Sequence, residues 1–253
     1  MRARLHRAGT ACGVATASPS PPPLGSTPHP IQRADAHLGD AAGDTDFLFR
    51  LGMLEGHLMV GHELLLAHEP ALALPHFGHP VRELYDDLGT YLDQHHFPAF
   101  DRQLVALEAA VAAAPESKDT EAQYQATIAT VHKARALAPA NLRASIPEMI
   151  QICSDTIDAA SGEFGESLEQ GRVAVLIEYH DSRGFLDYVA QQVNDLKAEH
   201  PDAASQSLLD RFKSILAQAQ WIVGDLMPAP TPRASVSTYR SVAAEAAALA
   251  KAE

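Results

Sequence analysis

The stretch EGHLMVGHELL, residues 55–65, lies within a longer run of leucines in which apolar and polar residues do not alternate. Apolar residues recur here at intervals of three and four, which is the period of an α-helix rather than of a strand. The pattern predicts a first helix from about Asp44 to His68. Glu55 and His62 stand inside its apolar stripe, about two turns apart at 100° per residue. Two polar residues in that position need an explanation.

The helical period continues along the chain to about residue 227, and β-branched residues are sparse, so we expect no sheet. Prolines and turn-forming residues divide this region into about six to seven helices with short connections. Pro80 is expected to begin the second helix after a loop, and Gly184 is the expected weak point of a long sixth helix. The predicted fold class is therefore all-α, an antiparallel helical bundle.

Three parts of the chain are predicted. Residues 1–43 begin with three arginines among the first seven residues and end in a Pro-rich stretch. They are expected to be either a secretory signal with a disordered linker or simply a disordered tail. Residues 44–227 form the bundle, and residues 228–253 form a second Pro-rich linker with a peripheral helix. The first alternative predicts a periplasmic or otherwise exported protein, and the second a cytoplasmic one.

Composition excludes several classes of function. The net charge is −13, which argues against a nucleic-acid partner, because phosphate binding needs clustered Lys and Arg. No apolar run reaches about 18 residues, so no membrane span is expected. The two cysteines, Cys12 and Cys153, are too few for a Cys-based zinc site.

The polar residues in apolar stripes predict a metal site. Glu178 lies in the apolar stripe of the sixth helix as Glu55 does in the first, and His132 lies on an apolar face of the fourth. Core-facing carboxylates and imidazoles on different helices are how bundles build metal sites. Glu55, His62, Glu178 and His132 are therefore the predicted ligands of an iron or copper ion. His57 and His68 fall on the opposite side of the first helix and are expected to face solvent.

Histidines are concentrated near the first two helices, where seven of the thirteen lie between residues 57 and 96. His76, His79 and Glu83 stand just before and within the predicted second helix, opposite its apolar face. They are a predicted secondary metal site on the surface. An ordinary solvated helix start, with acids favoured by the helix dipole, explains the same pattern.

Catalytic motifs are missing. The chain contains no H-E-x-x-H, no E-x-x-H, no G-x-S-x-G and no P-loop. Their absence argues against an enzyme, and a redox enzyme at the same metal site is the least favoured alternative.

Residues 47–88, with the runs GHLMVG and HPVRELYDDL, resemble helical extracytoplasmic proteins of bacterial iron-permease systems and, more loosely, imelysin-like proteins. The resemblance implies an exported bundle that binds iron or another transition metal for uptake, with a membrane permease or another protein as partner. The G-x-H-x-x-E pattern of imelysin-like proteins is missing, so no ligand is transferred from them.

Two functions remain open from the sequence. The first is a non-enzymatic, exported bundle that binds a transition metal as an uptake or handling accessory. The alternative is a metal-free interaction or structural module, in which Glu55, His62 and Glu178 form a buried hydrogen-bonded network.

Overall fold

The computed structural model describes residues 41–252, apart from the side chain of Glu83. The predicted all-α class is confirmed, although the described part of the chain has ten α-helices rather than six or seven. The predicted signal segment and the first Pro-rich stretch fall almost entirely outside the described residues. The helices are α1 Asp44–Leu66, α2 Pro70–His79, α3 Tyr85–Gln94, α4 Asp101–Ala113, α5 Lys118–Arg135, α6 Ala140–Arg143, α7 Ile146–Glu166, α8 Leu176–Glu199, α9 Ala203–Val223 and α10 Val236–Lys251.

Helix α1 lies at the centre of the fold and packs against α2, α3, α5, α7 and α8. It is buried on all sides, because Leu54 and Leu58 and also Gly56 and His57 are buried. The prediction that His57 faces solvent is therefore wrong: the residue is only 5% exposed. A helical wheel assumes one buried face, and that assumption fails for a helix enclosed by neighbours.

Helix α2 occupies the segment that was expected to be a loop. Pro70 lies in its first turn, where a proline costs nothing because the missing N–H has no helical partner. Pro75 lies inside the helix, which is why the segment reads as a loop. A π-helix, Pro80–Leu84, then joins α2 to α3, so that Pro80 continues a helix instead of starting one.

A short hairpin separates α7 from α8 and is a departure from the expected absence of any sheet. Its strands, β1 Leu168–Glu169 and β2 Arg172–Val173, pair antiparallel. The two turn residues, Gln170 and Gly171, have φ of 51° and 76°, as a two-residue hairpin turn of this kind requires. The predicted long sixth helix is therefore interrupted here and not at Gly184, through which α8 runs unbroken.

Helices α7 to α10 pack together as a four-helix unit, in which α7 contacts α8 and α10, and α9 contacts α8 and α10. Polar side chains cap three of these helices: Ser145, Asp202 and Ser235 each accept a hydrogen bond from the backbone N–H three residues later. Tyr239 of α10 is fully buried. The C-terminal helix thus belongs to the bundle and is not peripheral. None of the described helices combines the length and apolarity needed to cross a membrane.

Glycines bring α1 close to its neighbours. A Cβ on Gly184 of α8 would lie 2.3 Å from the carbonyl oxygen of Gly56, so the two backbones touch. A Cβ on Gly61 would lie 2.9 Å from the ring of Phe77 in α2. These close approaches place residues of α1, α2 and α8 within reach of one another.

Candidate metal centre

Helices α1, α2 and α8 bring three histidines and one aspartate together in the interior. His57 follows Gly56 on α1, His76 and His79 lie one turn apart on α2, and Asp181 is on α8. All four residues are at most 5% exposed. The ligand atoms of His57, His79 and Asp181 lie within 4.8 Å of one another. Imidazole nitrogens and a carboxylate at this separation are a donor set for a transition metal.

The contact between His57 and Asp181 requires a positive charge. His57 Nδ1 lies 2.8 Å from the carbonyl oxygen of Met53 and must donate to it, because a carbonyl only accepts. His57 Nε2 then faces Asp181 Oδ1 at 3.4 Å. In a neutral ring this nitrogen carries a lone pair, which the carboxylate would repel. A proton or a metal ion between the two atoms turns the repulsion into attraction.

The electrostatics agree with this requirement. Burial lowers the pKa of His57, but the charge of Asp181 and the hydrogen bond to it outweigh that effect and raise the pKa above its usual value. Burial in turn raises the pKa of Asp181, but the charge of His57 and hydrogen bonds with the three histidines hold it well below its usual range. Asp181 is therefore ionised, and it is the anion around which the histidines gather.

His76 fixes the orientation of the carboxylate. Its Nδ1 lies 2.7 Å from Asp181 Oδ1 and donates to it, since an ionised carboxylate can only accept. His79 Nδ1 lies 3.6 Å from the other oxygen, Oδ2. A carboxylate held by a hydrogen bond from a neighbouring imidazole is better oriented for a metal ion.

Three glutamate side chains form a second group of possible metal ligands. Glu163 and Glu166 of α7 and Glu178 of α8 place their oxygens within 4.8 Å of one another. Burial, a hydrogen bond with Glu178 and the charge of Asp181 raise the pKa of Glu163 to about 10. Glu163 is therefore protonated at neutral pH. The negative charge of Glu178 also helps to raise the pKa of His57.

The four predicted primary ligands contact different partners in the structure. Glu55 is 2% exposed, and its Oε1 accepts a hydrogen bond of 2.7 Å from His132 Nε2. His62 stacks on Tyr124 with ring centroids 3.9 Å apart. Its Nε2 lies 2.7 Å from Glu121 Oε2. The imidazole of His132 thus explains why a carboxylate can lie in the apolar stripe of α1. Metal binding by Glu55, His62, Glu178 and His132 stays a prediction.

The secondary set is buried instead of lying on the surface. His76 and His79 are 0% and 4% exposed and form part of the cluster around Asp181. The side chain of Glu83 lies outside the part that the structure describes. Sequence reasoning missed Asp181 as a member of the cluster. Its neighbour Glu178 lies one turn earlier on α8, and this spacing was the available signal.

The fold and the cluster define a helical-bundle protein with a buried histidine–carboxylate centre. Residues 139–252 match the family model of the iron permease-associated 4-helix bundle domain, and the matched range contains α6 to α10. The resemblance to iron-permease systems inferred from the sequence is thereby confirmed, although residues 47–88 precede the match. The match covers less than half of the chain. No curated protein and no solved structure matches the chain.

Proposed function

We propose that this chain is a non-enzymatic accessory of an iron-permease system that holds a transition-metal ion at His57, His79 and Asp181. The observation that carries the proposal is the convergence of these three side chains within 4.8 Å in the interior. The match of residues 139–252 to an iron permease-associated domain supports the connection with iron.

The spacing of the three side chains suits a common metal ion. Two ligand atoms about 2.1 Å from one ion at a tetrahedral angle lie about 3.4 Å apart. His57 Nε2 and His79 Nδ1 lie 3.4 Å and 3.6 Å from the nearest oxygens of Asp181. Only small side-chain adjustments would therefore be needed to accept an ion.

The composition of the centre favours iron over copper. Two histidines and one carboxylate are the ligand set that non-haem ferrous iron takes. The one cysteine among residues 41–252, Cys153 of α7, is buried in the apolar core, so the soft ligand that often selects univalent copper is missing from the described set. In the proposed role the iron is cargo passed to or from the permease, and the centre needs no reaction step.

The first experiment is elemental analysis of the untagged protein after anaerobic incubation with ferrous iron and desalting. The wild-type protein should retain iron, and His79→Gln should retain at least one equivalent less. His68→Gln is the matched control, because the His68 ring is exposed and its Nδ1 lies 2.8 Å from Glu116 Oε1 instead of near Asp181. A wild-type protein that retains no iron, and no copper, zinc or manganese in parallel incubations with those ions, would refute the proposal.

Proton competition gives a second test of the same centre. Histidine must be unprotonated to bind a metal, so affinity should be lower at pH 5 than at pH 7. The comparison is a titration with ferrous iron at both pH values. Equal affinity at the two would exclude histidine from the site.

We also propose that the protein acts outside the cytoplasm, beside a membrane permease. The support is the match to an iron permease-associated domain together with the signal-like composition expected for the N-terminal residues. Fractionation of cells that express the full-length gene is the test. Recovery of the protein from the cytoplasmic fraction alone, with its N-terminal residues intact, would contradict export.

A metal-free structural module is the second candidate, and the Glu55–His132 hydrogen bond of 2.7 Å favours it. In this case the buried pairs hold the helices together and no ion is needed. Melting curves of the apo and iron-loaded protein separate the two functions. A melting temperature that iron does not change would favour the metal-free module.

A further inference from the structure

The imidazoles of His76 and His180 form a second pair of rings beside the proposed centre. Their ring centroids are 5.5 Å apart, and their planes meet at 76°. Both side chains are 0% exposed. His180 precedes Asp181 on α8, and the three-ligand centre proposed above uses neither His180 nor the outer nitrogen of His76.

Hydrogen bonds fix which nitrogen of each ring carries a proton. His76 Nδ1 donates to Asp181, and His180 Nε2 lies 3.0 Å from the carbonyl oxygen of Leu226. Both acceptors lack a hydrogen, so these two nitrogens must supply it. In the neutral rings the other nitrogens, His76 Nε2 and His180 Nδ1, therefore carry lone pairs.

Neither lone pair finds a hydrogen-bond donor among residues 41–252. A buried acceptor without a partner is costly, and in native proteins such an atom needs an explanation. Here there are two such atoms, in adjacent rings, each kept free of a proton by the hydrogen bond on the other side of its own ring. This is the arrangement of a metal-ligating histidine, which gives its second nitrogen to a carboxylate or to a backbone carbonyl.

We propose that a second first-row transition-metal ion binds between His76 Nε2 and His180 Nδ1, so that the cluster holds two ions. The inference rests on the proposed function, because Asp181 links the two positions. It would be a direct ligand at the first position, and at the second it would hold the proton of His76. Imidazole ligands suit zinc, copper, iron and nickel ions, and water molecules would complete the coordination of the second ion.

Zinc is the probe for the test, since it keeps one oxidation state throughout a titration. The untagged full-length protein is freed of metal, equilibrated with Zn²⁺ and desalted, and its zinc content is measured. The wild-type protein should retain two equivalents, and His180→Gln should retain one. His79→Gln should also retain one, by losing the first position, and the exposed-site control His68→Gln should retain two.

Long-range ¹H–¹⁵N NMR of the histidine rings provides a second readout that does not depend on a variant folding. In the metal-free protein it should show His76 protonated on Nδ1 and His180 protonated on Nε2. The second equivalent of zinc should shift the resonances of His76 Nε2 and His180 Nδ1.

The outcomes separate this inference from the proposed function. One equivalent of zinc in the wild-type protein, with the His180 Nδ1 resonance unchanged, would overturn the second position and leave the first intact. A water molecule that satisfies both lone pairs would give that result. No retained zinc, together with no retained iron, would overturn both positions.

Discussion

Replacing Gly184 by alanine tests whether the crossing of α1 and α8 builds the site. The added Cβ would lie 2.3 Å from the carbonyl oxygen of Gly56 and 3.0 Å from Val60 Cβ. The nearest atom belongs to a backbone, so no side-chain rotation relieves the contact. The helices must separate by roughly 1 Å to restore van der Waals distances.

Two opposing effects decide the magnitude. Alanine is more favourable than glycine inside a helix by about 1 kcal/mol. Overpacking a close contact costs about 1–3 kcal/mol, and rigid backbone places Gly184→Ala at the upper end of that range. The net loss should be about 2 kcal/mol, which in a domain of this size lowers the melting temperature by about 4–8 °C. Urea denaturation followed by circular dichroism measures the free energy directly.

Gly89→Ala is the matched control. Gly89 lies inside α3, and a Cβ there would meet nothing within 4 Å. This variant should gain up to about 1 kcal/mol from helix propensity alone. If Gly184→Ala gained stability as Gly89→Ala does, the reasoning from close packing would be refuted. Separation of the helices should also move His57 away from Asp181 and weaken metal retention.

Three further predictions concern buried polar groups. His132→Ala leaves the buried carboxylate of Glu55 without its partner and should lower the free energy of unfolding by about 2 kcal/mol, a figure reduced because His132 is half-exposed. Glu55→Gln should lower it by less. Urea denaturation of both variants checks the order, and equal losses would contradict it. The hydrogen bond to Glu55, opposed by burial, raises the pKa of His132. The stabilisation by the His132–Glu55 pair should therefore be complete below about pH 6.5 and lost as the pH rises through the raised pKa of His132. The metal-free wild-type protein should thus lose more stability between pH 6 and 9 than Glu55→Gln does. Equal losses would exclude the pair as the cause. Burial raises the pKa of the Cys153 thiol to about 12, so in a Cys12→Ser protein a thiol reagent at pH 8 should label Cys153 only after unfolding, and fast labelling of the folded protein would show that it is accessible.

The helical class and the burial of Glu55 follow from sequence because both depend on local periodicity. Glu55 lies in a stripe of leucines, and the structure buries it to 2% exposure. His132, on another helix, proved to be its partner. The chemical argument also holds at the sequence level, since a carboxylate in an apolar stripe must have a partner wherever it lies in the fold.

The cluster around Asp181 depends on information that periodicity does not contain. His57 lies on the side of α1 that its leucines do not mark, and it is buried because Gly56 and Gly184 admit α8 to that side. His76 and His79 lie in a segment whose prolines indicate a loop. Three helices must cross at particular angles before these residues meet, and those angles are set by long-range packing.

The division of ligands between two parts of the chain gives metal binding a structural consequence. Asp181 and His180 lie within the matched residues 139–252, whereas His57 and His79 lie on α1 and α2, outside them. An ion bound to residues of both parts would stabilise the folded protein only while α1 and α2 remain packed on α8. At a free metal concentration one hundred times the dissociation constant, that stabilisation would be about 2.7 kcal/mol. Because the three side chains are buried, the proposed function requires the packing around them to open locally before an ion enters or leaves. In the proposed function, binding of the ion and closure of these helices are therefore coupled, as a protein that takes up an ion and later gives it away would require.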